Sequence, residues 1–499
     1  MKQTMKYLSM AALVVMGVIL ASCAKNESTE VVEPAIEDNI VVCTTTVSFD
    51  TDATKALTEH GVKTFAPGDR IAVIYKNTNE PSETVKAVSE PLPSGSYDHT
   101  ATFTVELTNP AANSAVRIIY PAAMAAATVA TDVAVNDDAT INYAALNTQD
   151  GTLASLSSNL DLAVYDGNLS DTSLPADPAL HNKLAICKYT LKDNAVEPND
   201  ITSSITGMSI TVGTYKYSVT RSAASGPIYV AIRPTADATV NYTATNGKVY
   251  YTKTVTGKTY AASEIYQLGL RMAALPEGSL PGKFTVASGK QVYFSKGNLQ
   301  ATYDGSAWTW AFATHQWDYI GENVANTSIG STGTVDLFGW SSSSTYYGIS
   351  SSTDYNDYSG VFVDWGNNIG PGWHTLSSTE WTYLFGHNTR GWSTVNGNGG
   401  YVIRPDDVIT AVASSYTDIE WATEEANGSI FLPAAGFRSG NTVNSEGEEG
   451  YYHSSTPSGD YNKYILFFDV YYLAPADNNL TLNLGMSVRL VFPCTPYIP

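Results

Sequence analysis

Phe103-Thr104-Val105-Glu106-Leu107 alternates apolar with polar residues, and Tyr266-Gln267-Leu268-Gly269-Leu270-Arg271-Met272 repeats the pattern over seven positions. A period of two puts Phe103, Val105 and Leu107 on one face of an extended strand, whereas a helix would scatter them around its circumference. Similar runs stand at 41–49, 71–75, 116–120, 208–212, 228–232 and 249–255, separated by clusters of Asn, Gly, Ser or Pro. Strands of this length and spacing predict packed sheets, so the expected fold class is mainly β. Composition points the same way: only 15% of residues are charged while Gly and Tyr number 38 and 32, a poor supply for long amphipathic helices.

Working outward, the ends and the charge narrow the class. Lys2 and Lys6 precede an apolar run from Leu8 to Leu20, too short for a membrane span, which needs about 20 residues, and this reads as a secretory leader over 1–22. Leu20-Ala21-Ser22-Cys23 resembles a bacterial lipobox, so Cys23 is the expected lipidation site. Residues 23–39, with five acidic side chains and no strand alternation, read as a solvated tether. A net charge of −21 repels a phosphate backbone, and nucleic acid is excluded as a partner. Cys43, Cys187 and Cys494 are too few and too far apart for a disulfide framework. Cys43, in step with Val41 and Val47, is expected to be buried as a small apolar group.

All nine tryptophans lie between Trp308 and Trp421, which requires a boundary before Trp308. The Pro- and Gly-rich run at 275–282 supplies a linker. A second break at Glu197-Pro198-Asn199-Asp200 divides the preceding portion. The expected units are therefore 40–197, 198–274 and 283–499. Residues 122–165, rich in Ala and Thr, stay ambiguous, with a short helix possible in composition.

The first two units carry Thr54-Lys55-Ala56, Phe65-Ala66-Pro67-Gly68-Asp69-Arg70-Ile71-Ala72-Val73, Ile119-Tyr120-Pro121 and Gln149-Asp150-Gly151-Thr152-Leu153, then a closing run from Thr259 to Met272. In this order, over 1–272, they resemble the fimbrillin family of Bacteroidetes surface lipoproteins. The resemblance implies two transthyretin-like β-sandwiches, an outer-membrane, surface-exposed location through the lipid anchor, and assembly into fimbriae with other pilin subunits by donor-strand addition. A trypsin-like protease would cut the loop after the first strand, where Lys55 and Lys63 are the candidate processing sites, and a partner's strand would fill the vacated groove.

The remainder reads Val292-Tyr293-Phe294-Ser295-Lys296-Gly297-Asn298-Leu299, His315-Gln316-Trp317-Asp318-Tyr319, Asp336-Leu337-Phe338-Gly339-Trp340, Leu376-Ser377-Ser378-Thr379-Glu380-Trp381, Ile430 to Arg438 and Ser487-Val488-Arg489-Leu490-Val491. This set resembles the bacterial C-type-lectin-like domains of Bacteroidetes and Fibrobacter surface proteins, which implies an α+β module with long loops. A helix is expected over 375–384, capped by Ser377 or Ser378 with Glu380 in its first turn.

No GxSxG elbow, HExxH helix, phosphate loop or dinucleotide fingerprint occurs, so neither an enzyme nor a cofactor is expected. His315 is expected to be packed and hydrogen-bonded, and Glu424-Glu425 and Glu446-Gly447-Glu448-Glu449 to be solvated acids. Asp354-Tyr355-Asn356-Asp357 and the stretch 364–368 gather oxygen ligands without an EF-hand continuation, and no metal is expected. Trp317, Trp340, Trp381 and Tyr452 are assigned to core packing. Loop aromatics and nearby polar groups, namely Tyr346, Tyr347, Tyr355, Tyr358, Tyr461, Arg438 and Asn441, are the ligand-binding candidates, because ring faces stack on sugar C–H groups while polar tips reach hydroxyls. The expected role is a pilus-tip or pilus-associated adhesin recognising a glycan or protein on host or bacterial surfaces. The alternative is a monomeric glycan-binding lipoprotein using its sandwiches as a stalk.

Overall fold

The computed structural model describes residues 38–49, 64–79, 83–126, 134–136 and 140–494. The leader, Cys23, Lys55, Lys63 and nearly all of the tether lie outside the described residues. The chain is mainly β, with 46% strand and 12% helix, arranged in eight sheets among the described residues.

The amino-terminal sheet comprises β1 (Ile40–Phe49), β2 (Ala72–Lys76), β3 (Thr84–Val88), β4 (Thr100–Thr108), β5 (Ala115–Tyr120), β6 (Ala163–Asn168) and β7 (Ala179–Asn182). Their order is β3-β2-β5-β6-β7-β1-β4. Period-two burial governs β4, where Ala101, Phe103, Val105 and Leu107 are buried and the intervening residues mostly exposed. These side chains share a core with Cys43, Val47 and Phe49 of β1 and with Val73, Tyr75, Val116 and Ile118 of β2 and β5.

Strand β2 departs from that alternation, with Ala72 to Tyr75 buried on both faces. The reason is a second core: Ala72, Ile74, Ile119 and Val164 cluster with Tyr189, Val212 and Val230 of the following sheet and with Met124, Leu146, Leu156 and Leu160 between them. That sheet holds β8 (Ala185–Asp193), β9 (Gly207–Val212), β10 (Tyr215–Thr220), β11 (Ile228–Ile232), β12 (Thr235–Thr245), β13 (Tyr250–Tyr260) and β14 (Ile265–Ala274). Their order is β11-β8-β14-β13-β12-β9-β10. Strand β8 lies before the break expected at 197/198, yet pairs with β11 and β14. Apart from the two-residue edge strand Thr148–Gln149, the second sheet thus begins near residue 185, because Ile186, Tyr189 and Leu191 belong to the second core.

The ambiguous segment bridges the two sheets. Thr148–Gln149 pairs with β10. The Gln149 amide donates to Leu146 O (2.9 Å) and Ala231 O (2.8 Å) and accepts from Ala231 N (2.9 Å). The short helix Leu153–Ser155 then starts under a Thr152 cap.

The run at 275–282 is not a free spacer. Leu280 is buried in the carboxy-terminal core, Leu275 N donates to Tyr250 O (2.7 Å), and Tyr250 packs against that same core. In the carboxy-terminal module the strands Phe284–Ala287, Lys290–Phe294 and Leu490–Pro493 pair antiparallel in that order, so the two ends of the module share one sheet. Helix α1 (Ser378–His387) covers the core with Trp381, Leu384 and Phe385. It begins three residues later than the expected start at 375 because Ser377 is the cap: its hydroxyl accepts from Glu380 N, and the Glu380 carboxylate accepts from Ser377 N (2.8 Å). A second helix, α2 (Asp418–Ala426), has the same reciprocal cap from Thr417 and Glu420. Replacing Ser377 with alanine should cost about 1 kcal/mol. Urea unfolding checks this through a lower midpoint at unchanged slope.

Candidate functional site

Two regions bear on function: the seat of the first strand, and a cluster of loops on the carboxy-terminal module. Strand β1 is paired unequally along its two edges. Nine residue pairs join it to β4, from Ile40↔Thr108 to Ser48↔Thr100. On the other edge only Ser48↔Ala179 and Phe49↔Leu180 form a ladder with β7, supplemented by Thr46 N to Ala176 O (2.9 Å) and Thr45 Oγ1 to Pro175 O (2.6 Å).

Phe49 closes the strand. Its ring stacks on Phe65 at 4.3 Å and meets Tyr120 edge-on at 5.3 Å. The sequence around Phe65 is built to hold that ring. Gly68 turns the chain at φ +89°, where a side chain would be strained. The Asp69 carboxylate accepts from Ala66 N (2.8 Å) and from the Tyr120 hydroxyl (2.6 Å), and burial together with Asp69 drives the Tyr120 phenol well above its usual range. Phe65-Ala66-Pro67-Gly68-Asp69 and Ile119-Tyr120-Pro121 therefore meet at the end of β1. Cys43 is buried, as its alternation predicts.

On the carboxy-terminal module the loops 340–363, 437–444, 458–462 and 482–486 converge. Tyr355 and Tyr461 meet edge to face at 4.8 Å, and Tyr461 is 54% exposed. Beneath them Trp340, Tyr358 and Leu482 form a small core. Gly440 brings Asn441, which is exposed, against the loop at 351–353: a β-carbon on Gly440 would lie 3.0 Å from Thr353 Cγ2. The structure thus gathers Tyr355, Tyr358, Arg438, Asn441 and Tyr461 into one cluster.

Tyr358 and Arg438 do not reach solvent, contrary to their expected role as contacts. The Tyr358 hydroxyl donates to Ser350 O (2.9 Å) and Ser352 O (3.0 Å), and the Arg438 guanidinium to Leu337 O (3.1 Å) and Gly440 O (3.0 Å). Irregular loops leave carbonyls without ladder partners, and these two side chains satisfy them. Tyr346 and Tyr347 lie to one side, Tyr346 exposed and Tyr347 edge-on to Trp310 at 5.7 Å.

Glu446 and Glu448 are exposed, as expected, while the other acids singled out in the sequence serve the structure. Asp354 caps the turn at Tyr355–Tyr358, and Asp364 accepts from Gly366 N, Thr375 N and Thr375 Oγ1. Glu424 pairs with Arg404 (2.6 Å), and Glu425 accepts from Gln316 (3.0 Å) instead of meeting solvent as expected. Burial pushes the Asp336 carboxyl up to about 6. His315 stacks on Trp317 at 4.6 Å with Nδ1 3.1 Å from Asp318, while Trp340, Trp381 and Tyr452 are buried; Trp317 itself stays half-buried.

Sequence reasoning missed two features. Phe437, Tyr451, Phe467 and Tyr472 form a chain of ring contacts at 4.9, 5.0 and 6.0 Å, and the adjacent Tyr471 is 95% exposed. Asp469 holds that turn by accepting from Tyr471 N and Tyr472 N, a local Asx pattern readable in Asp469-Val470-Tyr471-Tyr472. The second is a set of buried basic side chains on backbone carbonyls. Lys463 donates to Leu484 O (2.6 Å) beside Arg438, and His453 donates to Phe338 O (2.6 Å). Burial holds Lys463 and His453 well below their ordinary pKa ranges.

No protein-family model and no curated protein matches the chain. Among solved structures it is similar to a fimbrial assembly protein from Parabacteroides distasonis, at 10% identity and a TM-score of 0.28, over 55% of this chain and 99% of that one. It is also similar to a fimbrial protein from Bacteroides ovatus (10% identity, TM-score 0.25, 92% and 100% covered). A proposed cell adhesion protein from the same species gives 12% identity and a TM-score of 0.30, over 48% of this chain and 96% of that one.

Proposed function

We propose that this chain is a fimbrial, surface-exposed adhesin, anchored through Cys23 in the outer membrane, that accepts a partner's strand in place of β1. On this reading the first two sheets are transthyretin-like sandwiches, and the carboxy-terminal module is a C-type-lectin-like domain at a pilus tip. It meets a glycan or protein ligand through Tyr355, Tyr461, Asn441, Tyr346 and Tyr347.

The observation that carries the reading is the seat of β1. An interior strand with one full ladder and one short one, and with Cys43, Val47 and Phe49 in pockets, leaves behind a row of unpaired β4 groups and empty apolar sites when it departs. An extended segment with apolar residues at alternate positions fits that vacancy, since main-chain bonds supply affinity and pockets supply register. The second sheet is followed by a large folded module, which on this reading is the ligand-binding head of a tip.

The test is limited proteolysis of the mature chain with a trypsin-like enzyme, followed by size-exclusion chromatography with light scattering. The expected result is cleavage after Lys55 or Lys63, release of residues 40–49 and co-elution of the cleaved chain with an added fluorescent peptide of residues 40–49 that takes the vacated place. The doubly substituted Lys55→Gln, Lys63→Gln chain should keep its own first strand and take up no peptide. A cleaved chain that keeps its first strand and takes up no peptide rejects strand exchange and supports the monomeric glycan-binding lipoprotein.

A further inference from the structure

We propose that the cleft between the second sheet and the carboxy-terminal module is a binding site for an acidic oligosaccharide, one bearing carboxylate or sulfate groups. The proposal does not depend on strand exchange or on the loop cluster.

The cleft has a volume of about 460 Å³, within the range of small-molecule sites and at the kind of inter-unit position they favour. One wall is the outward face of β9, β12 and β13, presenting Thr211, Asn241, Thr243 and Thr254; the other carries Lys283, Gln291, Asp407 and Asn427. Past Ser209, Thr243 and Ala426 it continues into a more apolar extension of about 260 Å³, between the same sheet face and Ile419, Ala422 and Thr423 of α2. The two units approach closely here, since Tyr250 of β13 lines the extension and packs against the carboxy-terminal core.

Charge selects the ligand. Lys216, Lys253 and Lys283 line the cleft, and among the described residues none of the three ammonium groups makes an ion pair or donates a hydrogen bond. In a chain with 27 basic and 48 acidic residues, three unpaired lysines at one cleft are a local reversal of sign. Two acids lie on the rim, Asp407 and Asp406, the latter held ionised by Thr285, Gln291 and Asn388, so the cleft sets three ammonium groups against two carboxylates and stays net positive. Burial holds Lys216 below the ordinary lysine range, with Asp407 and Glu424 opposing and Arg404 reinforcing that effect, so its poorly solvated ammonium gains from an anion placed beside it.

The walls favour sugar over peptide. Strands β9, β12 and β13 are interior to their sheet, so an acidic peptide finds no open backbone edge to extend. Side-chain hydroxyls and amides are instead the partners that sugar hydroxyls use, and the apolar extension accepts a pyranose C–H face.

The experiment is isothermal titration calorimetry of the full chain with tetragalacturonate, its methyl ester, a sulfated heparin tetrasaccharide and tetraglutamate. Saturable binding of a charged saccharide is expected, weakened about tenfold or more in the neutral ester. The exposed pair Lys253→Ser, Lys283→Ser should weaken it similarly while leaving the thermal midpoint unchanged, and loss should follow rising salt. Tetragalacturonate and the heparin fragment distinguish carboxylate from sulfate recognition. Absence of binding by both, equal affinity for the ester or for tetraglutamate, or indifference to the double substitution overturns the proposal.

Discussion

Phe49→Ala should destabilise the amino-terminal unit by about 3–5 kcal/mol, the range for deleting a buried phenylalanine whose cavity cannot collapse. Collapse is blocked on each side. Phe65 and Tyr120 form the walls, and both are fixed: the Tyr120 hydroxyl is bonded to Asp69, and Phe65 packs edge-on against Phe103 at 5.4 Å. The effect should be local. Amide hydrogen exchange should accelerate in β1 and in the facing residues of β4, while β8 and β14 keep their protection, because their eight-pair parallel ladder sits in the other core. Val42→Ala on the same strand supplies the contrast, since Val42 is exposed and the change should stay within about 0.5 kcal/mol. If Phe49→Ala leaves both stability and β1 exchange unchanged, the first strand is not seated as described, and the strand-exchange reading loses its physical basis.

The strands were legible because alternation is a local signal. The run at 228–232 coincides with β11, and those at 208–212 and 116–120 start one residue inside β9 and β5. Helix α1 was legible for the same reason, its cap and first turn being adjacent in sequence. Helix α2 could have been found in Thr417-Asp418-Ile419-Glu420, which repeats the cap pattern of Ser377 to Glu380. The division near residue 185 was not legible. Nothing in Ala185 to Asp193 states which sheet it joins; that is decided by pairing with residues 265–272, far along the chain. The burial of Tyr358 and Arg438 was hidden likewise. Loop position predicts exposure, but carbonyls from 337, 350, 352 and 440 needed donors, and that demand exists only after the loops converge.

Replacing Arg489 with methionine should cost the carboxy-terminal module about 3–5 kcal/mol, as expected when one partner leaves a buried charged network. The guanidinium is fully buried and donates to Gln316 Oε1 (2.6 Å) and Asn298 Oδ1 (3.2 Å). Gln316 in turn accepts from Phe431 N (2.7 Å) and donates to Glu425 (3.0 Å) and Ser429 O (3.2 Å), while Asn298 reaches the Tyr452 hydroxyl. One side chain thereby ties the last strand to the loop at 316, to α2 and to the strand Ile430–Pro433. Burial lowers the Arg489 pKa to about 10, so it stays charged at neutral pH and offsets Glu425, whose carboxyl burial holds above the ordinary range. Methionine keeps the apolar stem and removes the charge, which pushes Glu425 further up. A carboxyl raised in the folded state favours folding below its unfolded pKa, and that contribution is lost as pH rises through the folded value. The penalty of the substitution should therefore be largest at pH 7 to 8 and shrink in acid, where Glu425 takes up a proton. Adding Glu425→Gln should return part of the loss at neutral pH and flatten its pH dependence, a coupling that a double-mutant cycle measures. Additive penalties with no pH dependence would mean that Arg489 acts through its two hydrogen bonds alone and that Glu425 does not sense its charge.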